Sequence, residues 1–406
     1  MRMEIVATAT FGLEAVVRRE IEALGYKVLK TEDGRVTYMG DERAVIRSNL
    51  WLRTADRVYI KMGEFEAREF EELFQQTKAL EWESLIPLEG AFPVVGGSVK
   101  SALHSVPACQ KIIKKAVAER LGSFYCKEAL PETGAEYKIR FIAHKDVFLL
   151  LLDTSGAGLH KRGYRVRDVA APMKETLAAA LVSLSFFRPG RPLVDPCCGS
   201  GTIAIEAAMI ARNIAPGLGR SFACEAWDLF GASKSSNSEG SGDAPAICKE
   251  ERRLAFEAAD LSGSDREGDR ISISAMDIDA RAVAAAKDNA AEAGVFDDID
   301  IIKMDMTNWE PGGGIPKGFG KDDYGVIISN LPYGKRIGDD ESIKAVYAHI
   351  RKIMSECPNW SFFLITSDKM LERELGRKAD RRRKLYNGTI ETQFYQFHGN
   401  RPPKKA

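Results

Sequence analysis

Val194-Asp195-Pro196-Cys197-Cys198-Gly199-Ser200-Gly201-Thr202 is the stretch whose reading decides the fold. It leaves an apolar strand at 191–195, passes two glycines and enters a helix predicted over 202–212. Glycines two apart let the backbone turn sharply and approach a ligand where a Cβ would collide. The helix behind them directs free backbone N–H groups into the same crevice. Ala204 stands where a dinucleotide fingerprint carries its third glycine, a replacement that fingerprint tolerates, so the turn alone does not choose the ligand. Asp195 does more. A carboxylate at the strand end would repel a pyrophosphate and suits a positively charged amine.

Outward from this turn, strand and helix patterns alternate regularly from about residue 168. That implies a parallel sheet wound on both faces. Strands are predicted over 271–276, 299–304, 324–329 and 362–366, with helices over 280–293, 342–356 and 369–377. A closing hairpin at 385–388 and 391–396 turns on Asn387-Gly388. Two more strand ends carry acids. Asp277, beside Ile278, can accept from both hydroxyls of a ribose, while Asp279 is placed to cap the next helix. Asp305, followed by Met306, can accept from an adenine amino group. Three acids on successive strand ends describe a site for a nucleoside joined to an amino acid. S-adenosylmethionine is therefore the expected cofactor, held by Asp195, Cys198, Gly199, Gly201, Thr202, Asp277, Ile278, Asp305 and Met306.

The strand at 324–329 runs straight into Asn330-Leu331-Pro332-Tyr333-Gly334, at the edge where ligands meet in a doubly wound sheet. An exocyclic base amine is a poor nucleophile because its lone pair is delocalised into the ring. Asn330 Oδ1 and a backbone carbonyl near Leu331 or Pro332 can accept its two N–H bonds, and both bonds strengthen as charge builds on nitrogen. Pro332 fixes the backbone and Tyr333 offers a ring for stacking. These four residues are the catalytic candidates, with Lys335 and Arg336 just beyond Gly334 as candidate contacts for the nucleic acid that carries the base. Transfer to a pyrimidine carbon would need a nucleophilic cysteine here, and Tyr333 stands after Pro332 instead.

The 406 residues are 45% hydrophobic and 29% charged, ordinary for a globular protein of two or three domains. No apolar run approaches the roughly 18 to 20 residues that span a bilayer, so no membrane partner is expected. The first residues show no signal-peptide pattern. Seven cysteines without a C-x-x-C pair and five scattered histidines predict reduced thiols, a cytoplasmic location and no metal site. A net charge of zero argues against a purely electrostatic nucleic-acid binder. Local basic stretches nevertheless occur at 161–167, 381–384 and 401–405. The first part of the chain reads as small α+β units: strands at 5–9, 26–29, 35–39 and 57–62 with helices at 12–24 and 41–50. Next come a helix at 69–80, an extended stretch at 92–99, a helix at 107–121 and strands at 137–143 and 147–152. In the helix at 107–121, Lys111, Lys114 and Lys115 share one face, which is either a wet side or a phosphate-contacting ridge. The Ser/Gly-rich stretch 231–244 has a composition that cannot pack and reads as a mobile insertion.

Taken together these motifs resemble the THUMP-domain RNA methyltransferases, in the group related to bacterial 23S rRNA guanine-N2 methyltransferases. Residues 195–202 with Ile205-Glu206-Ala207-Ala208 are similar to that group's first cofactor motif. Residues 171–180, including Thr176, are similar to the helix that lines its cofactor pocket. Gly158-Leu159-His160-Lys161-Arg162-Gly163-Tyr164-Arg165 is similar to its interdomain linker. Residues 330–334 match its N-P-P-Y-G pattern except at Leu331, which gives up one proline's rigidity and keeps the acceptors and the ring. The resemblance implies a ferredoxin-like domain at 1–64, a THUMP domain at 65–156, a linker at 157–168, a Rossmann-like α/β domain at 169–398 and a basic tail at 399–406. It further implies structured RNA as partner, contacted by Lys100, Lys111, Lys114, Lys115, Arg162 and Arg165. The expected activity is methylation of guanine N2 in 23S rRNA, with guanine N2 of tRNA or adenine N6 as variants. An RNA-binding assembly factor without catalysis is the reading from a different class.

Overall fold

The computed structural model describes residues 2–167, 173–227, 245–259, 271–312, 320–332 and 340–403. The chain divides into two units, one made of Met1–Ala9, Arg18–Leu159 and Ser221–Leu254, the other of Thr10–Val17, His160–Arg220 and Ala255–Ala406. Two segments thus cross over: a short early one joins the second unit, and one following the cofactor turn joins the first. The predicted insertion at 231–244 lies outside the described residues.

In the first unit, the described strands form one seven-stranded sheet in the order β2-β3-β1-β4-β7-β6-β5. Its strands are β1 (Met3–Ala9), β2 (Lys27–Glu32), β3 (Arg35–Gly40), β4 (Ala55–Glu66), β5 (Val94–Val99), β6 (Ile139–His144) and β7 (Val147–Asp153). The segments before and after residue 64 share this sheet because β4 is 12 residues long and pairs with β1 on one side and β7 on the other. Its helices are α2 (Glu42–Trp51), α3 (Phe70–Ala79) and α4 (Val106–Tyr125); α1 (Glu14–Ala23) is divided between the units. Asp41 caps α2 by accepting from the Ala44 N–H. On α4, Cys109, Ile113, Ala116, Val117 and Leu121 face the core, as the spacing predicts. A helix that the sequence reading did not anticipate, α7 (Ala246–Glu257), follows the undescribed stretch.

The second unit is the doubly wound sheet the turn predicts. It runs β10-β9-β8-β11-β12-β14-β13, with β8 (Leu193–Asp195), β9 (Ile273–Asp277), β10 (Ile299–Lys303), β11 (Val326–Asn330), β12 (Ser361–Thr366), β13 (Arg381–Asn387) and β14 (Ile390–Phe397). The first five are parallel, and β14 adds antiparallel to β12. One face carries α5 (Glu175–Leu184), α6 (Thr202–Ala211) and α8 (Ala280–Glu292), whose small side chains pack with Ile205, Ile273, Ile328 and Phe363 in one apolar core. Leu13 and Val16 join that core, which is why the early segment belongs to this unit. The other face carries α9 (Asp340–Glu356) and α10 (Leu371–Leu375) over Ile327, Phe362 and Leu364. Eight of the ten residues of α6 are buried, and its sequence is apolar except at Thr202 and Glu206. The basic run at 381–384 forms most of the edge strand β13.

Candidate functional site

The carboxyl ends of β8, β9 and β11 lie side by side and bring Asp195, Asp277 and Asn330 to one edge. Asp195 is 1% exposed. Its Oδ1 accepts from the Ser329 hydroxyl at 2.9 Å and from the Cys197 N–H at 3.3 Å. Burial is the main force on its titration; with Asp277 nearby it outweighs those two hydrogen bonds and raises the carboxyl from 3.8 to about 7. A cationic ligand group would reverse much of that shift.

The turn itself is held from outside. Gly199 and Gly201 have φ of +55° and +81°, so both occupy the left-handed region. A Cβ on Gly201 would stand 3.0 Å from the Ala286 Cβ, which fixes how closely α6 and α8 pack. The Gly199 N–H donates to Asp277 Oδ2 at 2.9 Å, and the Asp279 N–H donates to Asp277 Oδ1 at 2.9 Å. Each Asp277 oxygen keeps a lone pair for a ribose hydroxyl. Asp279 caps α8 through the Arg281 N–H, as expected. Ile278 is 63% exposed, an apolar side chain standing at the sheet edge. Asp305 takes both the N–H and the hydroxyl of Thr307 on Oδ1 and so caps a short 3-10 turn that buries Met306.

Two polar atoms at this edge have no hydrogen-bond partner among the described residues: Asn330 Oδ1 and Thr176 Oγ1, both buried. Leaving such an acceptor unsatisfied costs about 1–3 kcal/mol. An unpaired amide oxygen at a strand end is what a site for a base amine requires, and the orphan hydroxyl at the start of α5 fits a polar end of a cofactor. Leu331 is fully buried and its N–H donates to the Ile365 carbonyl, so the residue replacing the pattern's proline anchors the loop by packing. Pro332 is half-buried. Tyr333, Lys335 and Arg336 lie outside the described residues.

Cys198 is buried, its backbone N–H donates to the Met276 carbonyl, and burial pushes its thiol well up. Cys197 is pushed up by burial in the same way. Both thiols are therefore protonated packing groups rather than nucleophiles.

The RNA-contact set needs correction. Arg162 is 3% exposed and pairs inward with Glu206 at 3.3 Å, a carboxylate that also accepts from the Tyr164 hydroxyl. Arg165 is drawn inward by Glu175 at 2.8 Å. Lys114 forms an ion pair with Glu132 and lies over the Phe92 ring at 3.7 Å. The buried pairs of Arg162 and Arg165 hold structure and are not offered to phosphates, whereas Lys114 keeps part of its side chain exposed. Lys115 is exposed but shares Glu119 at 3.7 Å and the Phe74 ring. Lys100 and Lys111 remain exposed in the first unit.

Sequence reasoning passed over Ser329 and Asn289. Ser329 sits one residue before Asn330 and meets Asp195 because β11 and β8 are neighbours. Asn289 lies on the apolar stripe of α8 with Val283, Ala286 and Ala290, and a buried amide among alanines was the available signal. Its Nδ2 donates to the Ser200 carbonyl at 3.2 Å.

Comparison with known proteins gives the family and the same domain order. A family model described as "RMKL-like, methyltransferase domain" matches residues 162–396, one for the RlmL ferredoxin-like domain matches 4–59, and one for the THUMP domain matches 67–153. The chain is 44% identical over 408 residues to YpsC of Bacillus subtilis (strain 168), named as a candidate RNA methyltransferase, covering 99% of this chain and 97% of that one. It is 29% identical over 400 residues to ribosomal RNA large subunit methyltransferase K/L of Cellvibrio japonicus (strain Ueda107), covering 96% of this chain and half of that longer protein. Among solved structures, SMU.472, a candidate methyltransferase in complex with SAH, superposes with a TM-score of 0.86 at 40% identity, with 99% of each chain covered. A Listeria monocytogenes (str. 4b F2365) protein, described by prediction as an N6-adenine-specific DNA methylase, also superposes at 0.86, with 43% identity, 98% of this chain and 97% of that one covered.

Proposed function

Since the chain belongs to the RMKL-like methyltransferase family and is an S-adenosylmethionine-dependent RNA methyltransferase, we propose that its target is an exocyclic base amine, guanine N2 of 23S ribosomal RNA. The observation that carries this reading is the buried Asn330 Oδ1 at the carboxyl end of β11, which has no hydrogen-bond partner among the described residues. S-adenosylmethionine supplies the electrophilic methyl group. In this reading Asp195 holds its amine, Asp277 its ribose and Thr176 its polar end, while Asp305 with Met306 borders its adenine. Asn330 accepts from the base amine and a carbonyl of Leu331 or Pro332 accepts its second hydrogen. Both bonds shorten as positive charge develops on nitrogen, so the stabilisation is greatest at the transition state.

Support for an RNA substrate comes from the THUMP match and from the names of YpsC and methyltransferase K/L. A second reading, adenine N6, is favoured by the same pair of acceptors and by the N6-adenine specificity ascribed to the Listeria protein. Mass spectrometry of rRNA and tRNA nucleosides from cells with and without the gene tests both. Loss of N2-methylguanosine from large-subunit rRNA is expected; loss of N6-methyladenosine, or of a tRNA nucleoside alone, would replace this target. In purified protein, Asn330→Ala should lower methyl transfer by about 10²–10³-fold while donor affinity stays within a few-fold. Undiminished transfer would remove Asn330 from the chemistry, and donor binding without transfer to any RNA would favour an assembly factor.

A further inference from the structure

Arg165 sits between the first turns of two helices with a side chain only 15% exposed. Its Nε donates to Glu175 Oε1 at 2.8 Å, and Nη2 donates to the Met173 carbonyl at 2.8 Å. Nη1 reaches Ser200 Oγ and Nη2 reaches Thr202 Oγ1, each at 3.2 Å. Glu175 opens α5 and Thr202 opens α6, so one guanidinium spans both helix starts. Asn289 secures the flank: its Nδ2 donates to the Ser200 and Arg167 carbonyls, and its Oδ1 accepts from the Val166 and Arg167 N–H groups. The backbone on both sides of Arg165's contacts is thereby pinned.

What these bonds hold is a ligand-facing geometry. The first N–H groups of a helix have no partners within it and attract anionic groups. Two such starts, α5 and α6, face the same edge as the Thr176 hydroxyl, which is buried and has no hydrogen-bond partner among the described residues. We infer that Arg165 is a positioning residue for donor binding: it sets the separation of the two helix starts so that both meet the polar end of the methyl donor at once. The inference rests on the donor site proposed above. Arg165 acts through Ser200, Thr202 and Glu175 and touches no reacting atom.

Lysine cannot substitute. A single ammonium can keep the ion pair with Glu175 but lacks the planar fork that reaches two hydroxyls and a carbonyl in different directions. Calorimetry with S-adenosylhomocysteine on the full chain separates the possibilities. Wild-type binding comes first, and its absence would overturn the donor site together with this inference. Given wild-type binding, Arg165→Lys should stay folded with a lowered thermal midpoint and, well below that midpoint, lose affinity by about tenfold. The KM for S-adenosylmethionine should rise by a similar factor, with kcat changed less than about threefold. Affinity within about twofold of wild type, or a fall in kcat at unchanged KM, would overturn the inference alone. Ser200→Ala offers a milder probe, with an expected loss of about threefold. Combined with Arg165→Lys it should add nothing, because its hydroxyl works through the same guanidinium; fully additive losses would overturn the coupling.

Discussion

Asp195 retains a proton that an exposed carboxylate would have lost. Burial raises it from 3.8 to about 7, so between those values the folded chain binds a proton that the unfolded chain has released. Stability from this group is therefore fullest on the acid side of the window and declines as pH climbs toward 7, by roughly 4 kcal/mol at the upper end. Asp195→Asn removes the proton from the balance. Urea midpoints measured from pH 4.5 to 7.5 should fall less steeply with pH in the variant than in wild type, and parallel curves would contradict the assignment. Ligand binding adds a second readout of opposite slope. A donor amine favours the ionised carboxylate, so S-adenosylhomocysteine affinity should climb with pH up to about 7 in wild type and stay flat in Asp195→Asn. At this scale the sequence was readable where an apolar run stops on a polar residue, as at Asp195, Asp277 and Asn330. It was unreadable at Arg162, because the carboxylate that draws it inward, Glu206, lies 44 positions away, and a basic run gives no sign of which members point in.

Among the elements, the cofactor turn and α6 depend on a contact with α8. Gly201 has a φ of +81°, and any Cβ there meets Ala286. Gly201→Ala should destabilise the protein by about 1–3 kcal/mol and weaken donor binding together. Denaturant unfolding checks the first effect, and a midpoint equal to wild type would mean that α8 yields freely. The parallel strands were legible because fully buried strands are short apolar runs between turn signals. Edge elements were less so. In β13, Arg382 pairs with Glu372, Lys384 with Glu391, and Arg383 donates to the Gly12 carbonyl, so three of four adjacent cations are engaged, one of them by a partner far back in the sequence. α7 escaped notice for a related reason. Its polarity hides one buried carboxylate, Glu251, gripped by Arg43 at 2.8 Å and Arg47 at 2.9 Å from α2.

For the molecule as a whole, the units do not follow the order of the chain. The segment Ser221–Leu254 completes the first unit. Trp227 stacks on Tyr137 with ring centroids 4.7 Å apart and donates its indole N–H to the Glu136 carbonyl, and Glu251 anchors α7 on α2. A fragment ending at Leu159 loses all of these. Its thermal midpoint should lie below that of the same fragment mixed with a peptide spanning 221–254, since a segment that binds only the folded form stabilises it by mass action. Identical midpoints would mean the segment is dispensable.

The same crossing sets a timetable for synthesis. A ribosome that has reached residue 159 has released most of the first unit, yet the indole that covers Tyr137 and the carboxylate that satisfies two arginines emerge only with residues 227 and 251. By then β8 and α6 of the other unit have also been made. The nascent chain therefore carries Tyr137 without its Trp227 cover, and Arg43 and Arg47 without their carboxylate, through that interval.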